Sequence, residues 1–189
     1  MVIDSHLHVL KESNFDAVTE KALGHTHPTD TPIESLVSWL RDAGVGKAVV
    51  MGQDMSRIWN SACGEDYVLQ CTQEYPDLFV GLASLEPVDK WGRYNRQALK
   101  YFKKAVRDYG FKGVLLTPPY GQYASDYWVA GSGVFSDHPG DDMKAWIELI
   151  RNGMNQIAKR SGWPLFTQDE IDGILYKNAA RLYGFDVAS

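Results

Sequence analysis

Histidine is scarce and unevenly placed: the chain has five, and none lies between His27 and His138. Imidazole chemistry, whether proton transfer or metal ligation, is therefore restricted to the early and late parts of the sequence. There are two cysteines, Cys63 and Cys71, with no CxxC spacing. This excludes a thiolate zinc cluster or a disulfide scaffold, and leaves two reduced structural thiols as the expectation. No apolar run approaches the roughly 20 residues of a membrane span. No basic run exists, and a net charge of −5 with pI near 5.5 argues against nucleic acid as a partner. No G-x-G-x-x-G follows a strand, so a dinucleotide site is unsupported. Neither a G-x-S-x-G elbow nor a Cys/His arrangement points to a nucleophilic triad. The sequence opens on a strand without a basic segment or an apolar signal core, so a cytoplasmic protein is expected.

What is present begins with Val2-Ile3-Asp4-Ser5-His6-Leu7-His8-Val9. Side chains on a strand alternate faces, so Asp4, His6 and His8 are expected on one side, with both rings able to lean onto one metal ion. Neutral imidazole is a common metal ligand at neutral pH. The competing reading is a pair of polar residues at the frayed end of an edge strand. A second H-x-H, His25 and His27, lies in a Gly/Pro-flanked stretch with no strand to aim it. It reads as a solvated loop or as a loop over the mouth of a site.

The order of elements follows from periodicity. Thr31, Pro32 and Glu34 resemble a capped helix start, with Ile33, Leu36, Val37 and Leu40 at helical spacing. Residues 47–52 form a nearly all-apolar strand, as a parallel sheet covered on both faces requires. The loop after it carries Asp54, Arg57 and Trp59, where α/β folds place ligand contacts, although a surface loop is the plainer reading of each. Helix 65–74, strand 79–85, helix 91–109 and strand 111–117 follow. The long helix has the stripe Tyr94, Ala98, Tyr101, Phe102, Ala105 and Tyr109, read as core packing. After a Gly/Ser/Tyr loop come the stub Val134-Phe135, then Ser136-Asp137-His138-Pro139, then helices. One carries the stripe Trp146, Leu149, Ile150, Met154 and Ile157; the next starts at a Thr167/Glu170 capping box; the last covers 178–183. Strands alternating with helices predict an α/β fold with a parallel sheet and C-terminal helices, in one domain over 1–189.

Four segments together resemble the amidohydrolase superfamily, in the branch of the aminocarboxymuconate-semialdehyde and resorcylate-type decarboxylases. Ile3-Asp4-Ser5-His6-Leu7-His8 resembles its D-x-H-x-H opening, and residues 111–118 resemble its fourth strand. Ser136-Asp137-His138-Pro139 resembles the segment after its eighth strand, and residues 174–183 its closing helix. The resemblance implies a (β/α)8 (TIM-like) barrel and one divalent metal, zinc or else Mn or Fe, held by His6, His8 and Asp137. Asp137 would also serve as the acid or base; His138 beside it, and Trp59 from its place in the loop after the second strand, are the candidate substrate contacts. Asp137 as an ordinary helix cap and His138 as a bystander stay open. The implied activity is hydrolysis or non-oxidative decarboxylation of a small carboxylated or cyclic substrate.

A complete barrel of this kind takes about 250 residues and eight strands. This chain has 189 residues and shows four strands and a stub. It passes from the fourth strand-loop to the segment resembling the eighth, without the histidines the family has on strands five and six. A partial barrel of about five strands is therefore expected, which either dimerises to cover what it leaves open or packs as an open α/β layer. The alternative to an enzyme is a shortened, non-catalytic relative serving as a binding or interaction protein.

Overall fold

Parallel strands form an arc around the histidine strand. The computed structural model describes residues 1–9, 31–54, 56, 62–63, 65–89, 91, 93–116, 134–136 and 143–186. In chain order the elements are β1 (Val2–His8), α1 (Ile33–Asp42), β2 (Val45–Met51), the short β3 (Gln53–Asp54) and β4 (Ala62–Cys63), α2 (Glu65–Glu74), β5 (Phe79–Ser84), α3 (Arg96–Asp108), β6 (Val114–Leu115) and β7 (Val134–Ser136). Then come α4 (Met143–Glu148), a π-helical turn (Leu149–Gly153), α5 (Met154–Ser161), α6 (Gln168–Asp172), a second π-helical turn (Gly173–Lys177) and α7 (Asn178–Tyr183).

The main sheet runs β6-β5-β2-β1-β7, and every pairing in it is parallel. To one side of β1 lie β2, β5 and β6 in succession, and β7 lies on the other side. That is the succession a (β/α)8 barrel has around its first strand. With its helices, the sheet curls as half of such a barrel, as the strand count predicts. Outside it, β3 and β4 form a small antiparallel ribbon at the end of β2, which the sequence pattern does not announce.

Two apolar faces hold the arc. On the helix-covered outer face Val2, Leu7, Val9, Val45, Ala48, Val50, Phe79 and Ala83 pack with Leu36 and Leu40 of α1, Val68 and Cys71 of α2, and Phe111. Gly81 is required here: an added Cβ would stand 2.7 Å from the Phe111 ring and 3.1 Å from Val68. On the inner face Ile3 packs with Ala179 and Ala180, and Val49, Met51 and Leu82 form a neighbouring cluster. Tyr183 and Phe185 pack against both groups. The closing helix thus lies on the concave side of the sheet, with Phe185 also under the Lys47 ammonium at 5.7 Å.

Local signals held in part. Ile33, Leu36, Val37 and Leu40 are all buried, and Gly44 ends the α1 segment at φ +80°. The expected Thr31 cap does not form. Pro32 itself is the N-cap, and no side chain caps the helix, because Pro32 is extended at ψ 139° and the helix therefore starts one residue later, at Ile33. Helix α3 starts later than expected, behind an Asn95 cap that accepts from the Gln97 and Ala98 amides. Tyr94 is consequently exposed, while Ala98 and Ala105 are buried. The stripe expected on the next helix is also redistributed: Ile147 and Ala158 are buried, but Leu149 and Ile157 are exposed. The π turn between α4 and α5 supplies the reason. It uses more residues per turn and rotates the downstream face relative to a 3.6-residue pattern. The Thr167/Glu170 capping box forms with both of its hydrogen bonds.

Candidate metal centre

Strand β1 is not a regular strand. From Asp4 to Leu7 it advances three residues, while β2 advances from Ala48 to Val50 and β7 from Val134 to Ser136. Both neighbours therefore see one extra residue, a bulge at Ser5-His6. The bulge changes which side chains share a face. Before it, Val2 lies in the outer core and Ile3 in the inner one; beyond it, Leu7 and Val9 lie in the outer core. Simple alternation would have put Leu7 with Ile3 and sent His8 outward with Val2. Instead His8 falls on the inner side, opposite Leu7. The expectation that Asp4 shares the histidines' face is corrected accordingly. Asp4 keeps the pleat of Val2, is fully buried, and accepts the His6 backbone N–H at Oδ1 over 3.1 Å.

The two imidazoles meet. His6 Nε2 and His8 Nε2 are 3.1 Å apart, with ring centroids 4.8 Å apart and ring planes at 79°. His8 is 5% exposed, and its Nδ1 lies 3.2 Å from the Gly52 carbonyl. A carbonyl only accepts, so His8 Nδ1 carries the proton, and its Nε2 presents a lone pair when the ring is neutral. Without an ion, His6 Nε2–H can donate to that lone pair. The spacing also fits an ion. Two nitrogens bound at about 2.0–2.1 Å lie about 3.3 Å apart around a tetrahedral metal and about 2.9 Å apart at a right angle. The 3.1 Å separation falls between these. A backbone carbonyl on the non-ligating nitrogen is the usual outer support of such a ligand. Among the described residues, no group of three or more His, Cys, Asp or Glu side chains is placed to hold a metal ion.

Around the pair, strand ends are tied by a polar network that the sequence signals underrate. Asp54, read from the sequence as surface loop, is half-buried at the end of the β3 strand. Its amide donates to Ser84 Oγ at 2.7 Å. Its carboxylate accepts the Ser56 and Glu86 amides at 3.0 and 3.1 Å. Glu86, just past β5, is 2% exposed, and its carbonyl accepts from Asn95 Nδ2 at 3.0 Å. The ends of β2 and β5 are thereby joined, and His8 on the Gly52 carbonyl ties in β1, at the carboxyl side of the sheet, where barrel folds build their sites. Nearby, Glu65 is pushed up to about 7, first by burial of its carboxyl and then by the charges of Asp54 and Asp66. The signal for Asp54 and Glu86 is positional: each is an acid just beyond the carboxyl end of a parallel strand, β2 for Asp54 and β5 for Glu86.

Of the residues singled out from the sequence, His6 and His8 are brought together. Asp137, His138, Trp59, Arg57, His25 and His27 lie outside the described residues. Cys71 is a buried free thiol, as expected. No helix among the described residues is long and apolar enough to cross a membrane.

No family model matches the sequence, and no curated protein matches it. Among solved structures, the chain is similar to a probable 2-pyrone-4,6-dicarboxylic acid hydrolase from Acinetobacter baumannii, crystallised with citric acid bound. That similarity has a TM-score of 0.39 and 21% identity, and covers 61% of this chain and 37% of that one. The chain thus matches well under half of that protein's length.

Proposed function

We propose that this chain is a metal-dependent hydrolase or non-oxidative decarboxylase of the amidohydrolase type, acting on a small carboxylated or cyclic substrate. The observation that carries the reading is the convergence of His6 Nε2 and His8 Nε2 to 3.1 Å, at the carboxyl end of a parallel, barrel-like sheet. Asp137 is the proposed third ligand and the acid or base. Its support is sequential: Ser136, the residue before it, pairs with Leu7, the residue between the two histidines. Zinc is the proposed metal, with Mn or Fe able to accept the same donors.

The chain's own residues have definable roles in this reading. His8 is held in one tautomer by the Gly52 carbonyl, so its lone pair is aimed without a reorientation step. His6 is held by its backbone N–H on Asp4. Asp137 holds or moves the proton that enters or leaves the reacting group. A bound divalent ion would supply Lewis acidity, polarising a carbonyl or carboxylate oxygen and lowering the pKa of bound water toward about 7. Trp59 and His138 are the proposed substrate contacts.

Metal analysis of purified wild type and His6→Ala tests this. About one ion per chain in the wild type, lost in His6→Ala, is expected; equal, near-zero metal in both would sink the reading. Turnover of a panel of lactones, cyclic amides and aromatic carboxylates, lost in Asp137→Asn, would complete it. The competing reading, a non-catalytic binding protein, is favoured by one observation: no histidine between His27 and His138 exists to supply a further imidazole ligand. It is distinguished by metal binding without turnover of any substrate in the panel.

A further inference from the structure

We infer that Asp4 is a positioning residue, whose carboxylate closes the β1 bulge and thereby turns the two histidines onto the inner face. Three observations converge on it. The extra residue in β1 is seen against both neighbouring strands at the same place, between Asp4 and Leu7. It is therefore a property of β1 rather than of one pairing. Asp4 is 0% exposed, and its Oδ1 accepts the His6 amide two residues on, at 3.1 Å. This is the Asx arrangement, in which a short carboxylate bends its own backbone. Finally, the bulge reverses the face assignment. Ile3 before it lies in the inner cluster, while Leu7 and Val9 after it lie in the outer core.

The consequence is specific. In an unbulged strand, His6 and His8 would share the pleat of Val2, and both rings would point into the helix-packed core. Leu7 would then lie in the site. One inserted residue exchanges them, placing apolar side chains in the core and imidazoles on the concave side. An acceptor oxygen at position 4 satisfies the amide that the bulge removes from the ladder. The side chain at position 4 therefore acts on the histidines through backbone geometry. The inference rests on the proposed metal site only for its ligand-binding readout. The bulge and its hydrogen bond stand without a metal.

The test compares wild type, Asp4→Asn, Asp4→Ala and His6→Ala. Zinc affinity is read by competition with a chromophoric chelator, and thermal unfolding checks that each variant folds. Asp4→Asn keeps an oxygen acceptor and is expected to stay near wild type. Folded Asp4→Ala is expected to lose about 10–100-fold in affinity, as for removal of an outer support. His6→Ala should show no site. Folded Asp4→Ala with wild-type affinity overturns the inference. If wild type binds zinc no better than His6→Ala, the metal reading fails and the inference is decided on metal-free protein. There, amide hydrogen exchange is expected to show the His6 N–H protected in wild type and Asp4→Asn. Nitrogen-15 spectra are expected to show His8 protonated at Nδ1 in both. A His6 amide exchanging as fast as an unbonded surface amide overturns the inference, even if Asp4→Ala does not fold.

Discussion

Leu7 pairs with Ser136 across the β1–β7 ladder, and Asp137 is the next residue in the sequence. If Asp137 completes the proposed centre, its replacement should weaken metal binding without disturbing the histidine pair. Asp137→Asn is expected to cost at least the 10–100-fold in zinc affinity that outer-support changes cost. His8 Nδ1 should stay protonated. Chelator competition and nitrogen-15 spectra measure the two effects; unchanged affinity would remove Asp137 from the ligand set.

Packing under β5 gives a stability prediction. Gly81→Ala places a methyl group 2.7 Å from the Phe111 ring, so ring or strand must shift. A loss of about 1–3 kcal/mol is expected from overpacking. Phe111→Ala, which empties the same space, is expected to lose about 3–5 kcal/mol. Urea unfolding reads both. In the double variant the two losses should add up to more than its total loss, since the alanine methyl no longer meets the ring.

Glu65 gives a pH prediction. Its carboxyl is raised from 4.5 to about 7 in the folded chain, so between those values the folded protein holds a proton that the unfolded chain has released. The sign follows from linkage: this group's contribution to stability falls as pH rises from about 4.5 to about 7 and is constant above that. Glu65 keeps solvent contact, so the effect is discounted for screening. Glu65→Gln should remove this part of the pH slope, leaving a stability gain over wild type above about pH 7 that is absent at low pH.

Cys71 is pushed up to about 12, first by burial and then by the Glu74 charge. Thiolate is the reactive form. In a Cys63→Ser background, a thiol reagent at neutral pH should therefore modify Cys71 only as fast as the protein unfolds. Rapid modification of folded protein would contradict its placement in the core.

The dimer remains a proposal, drawn from a strand count short of a closed barrel. Light scattering behind size exclusion should give about twice the 21.2 kDa chain mass. A stable monomer across concentrations would rule it out.

Much of the fold was legible because the signals were local. The stripe Ile33, Leu36, Val37 and Leu40, the Thr167/Glu170 box and the apolar strands each state their structure within a few residues. The site was legible by half. The H-x-H spacing announced two rings that could meet, and they do. The means was hidden, because alternation assumes a regular strand, and a bulge is known only from the partners that count past it. Asp54 and Glu86 escaped for a related reason. Their hydrogen bonds run between strand ends far apart in sequence, and no local pattern encodes them. The π turns misdirected the late helical stripes, since a pattern with a 3.6-residue period cannot mark where the period changes.

The packing of Ile3 on Ala179 and Ala180 has a consequence for the order of assembly. The helix that backs the inner face of the histidine strand lies far along the sequence from it. Without residues 178–185, Ile3 on the inner side of β1 loses Ala179, Ala180, Tyr183 and Phe185 from its apolar partners among the described residues. Contacts of this sequence separation form late and slow folding. A chain cut before residue 178 would therefore carry both histidines and lack the apolar surface packed against Ile3.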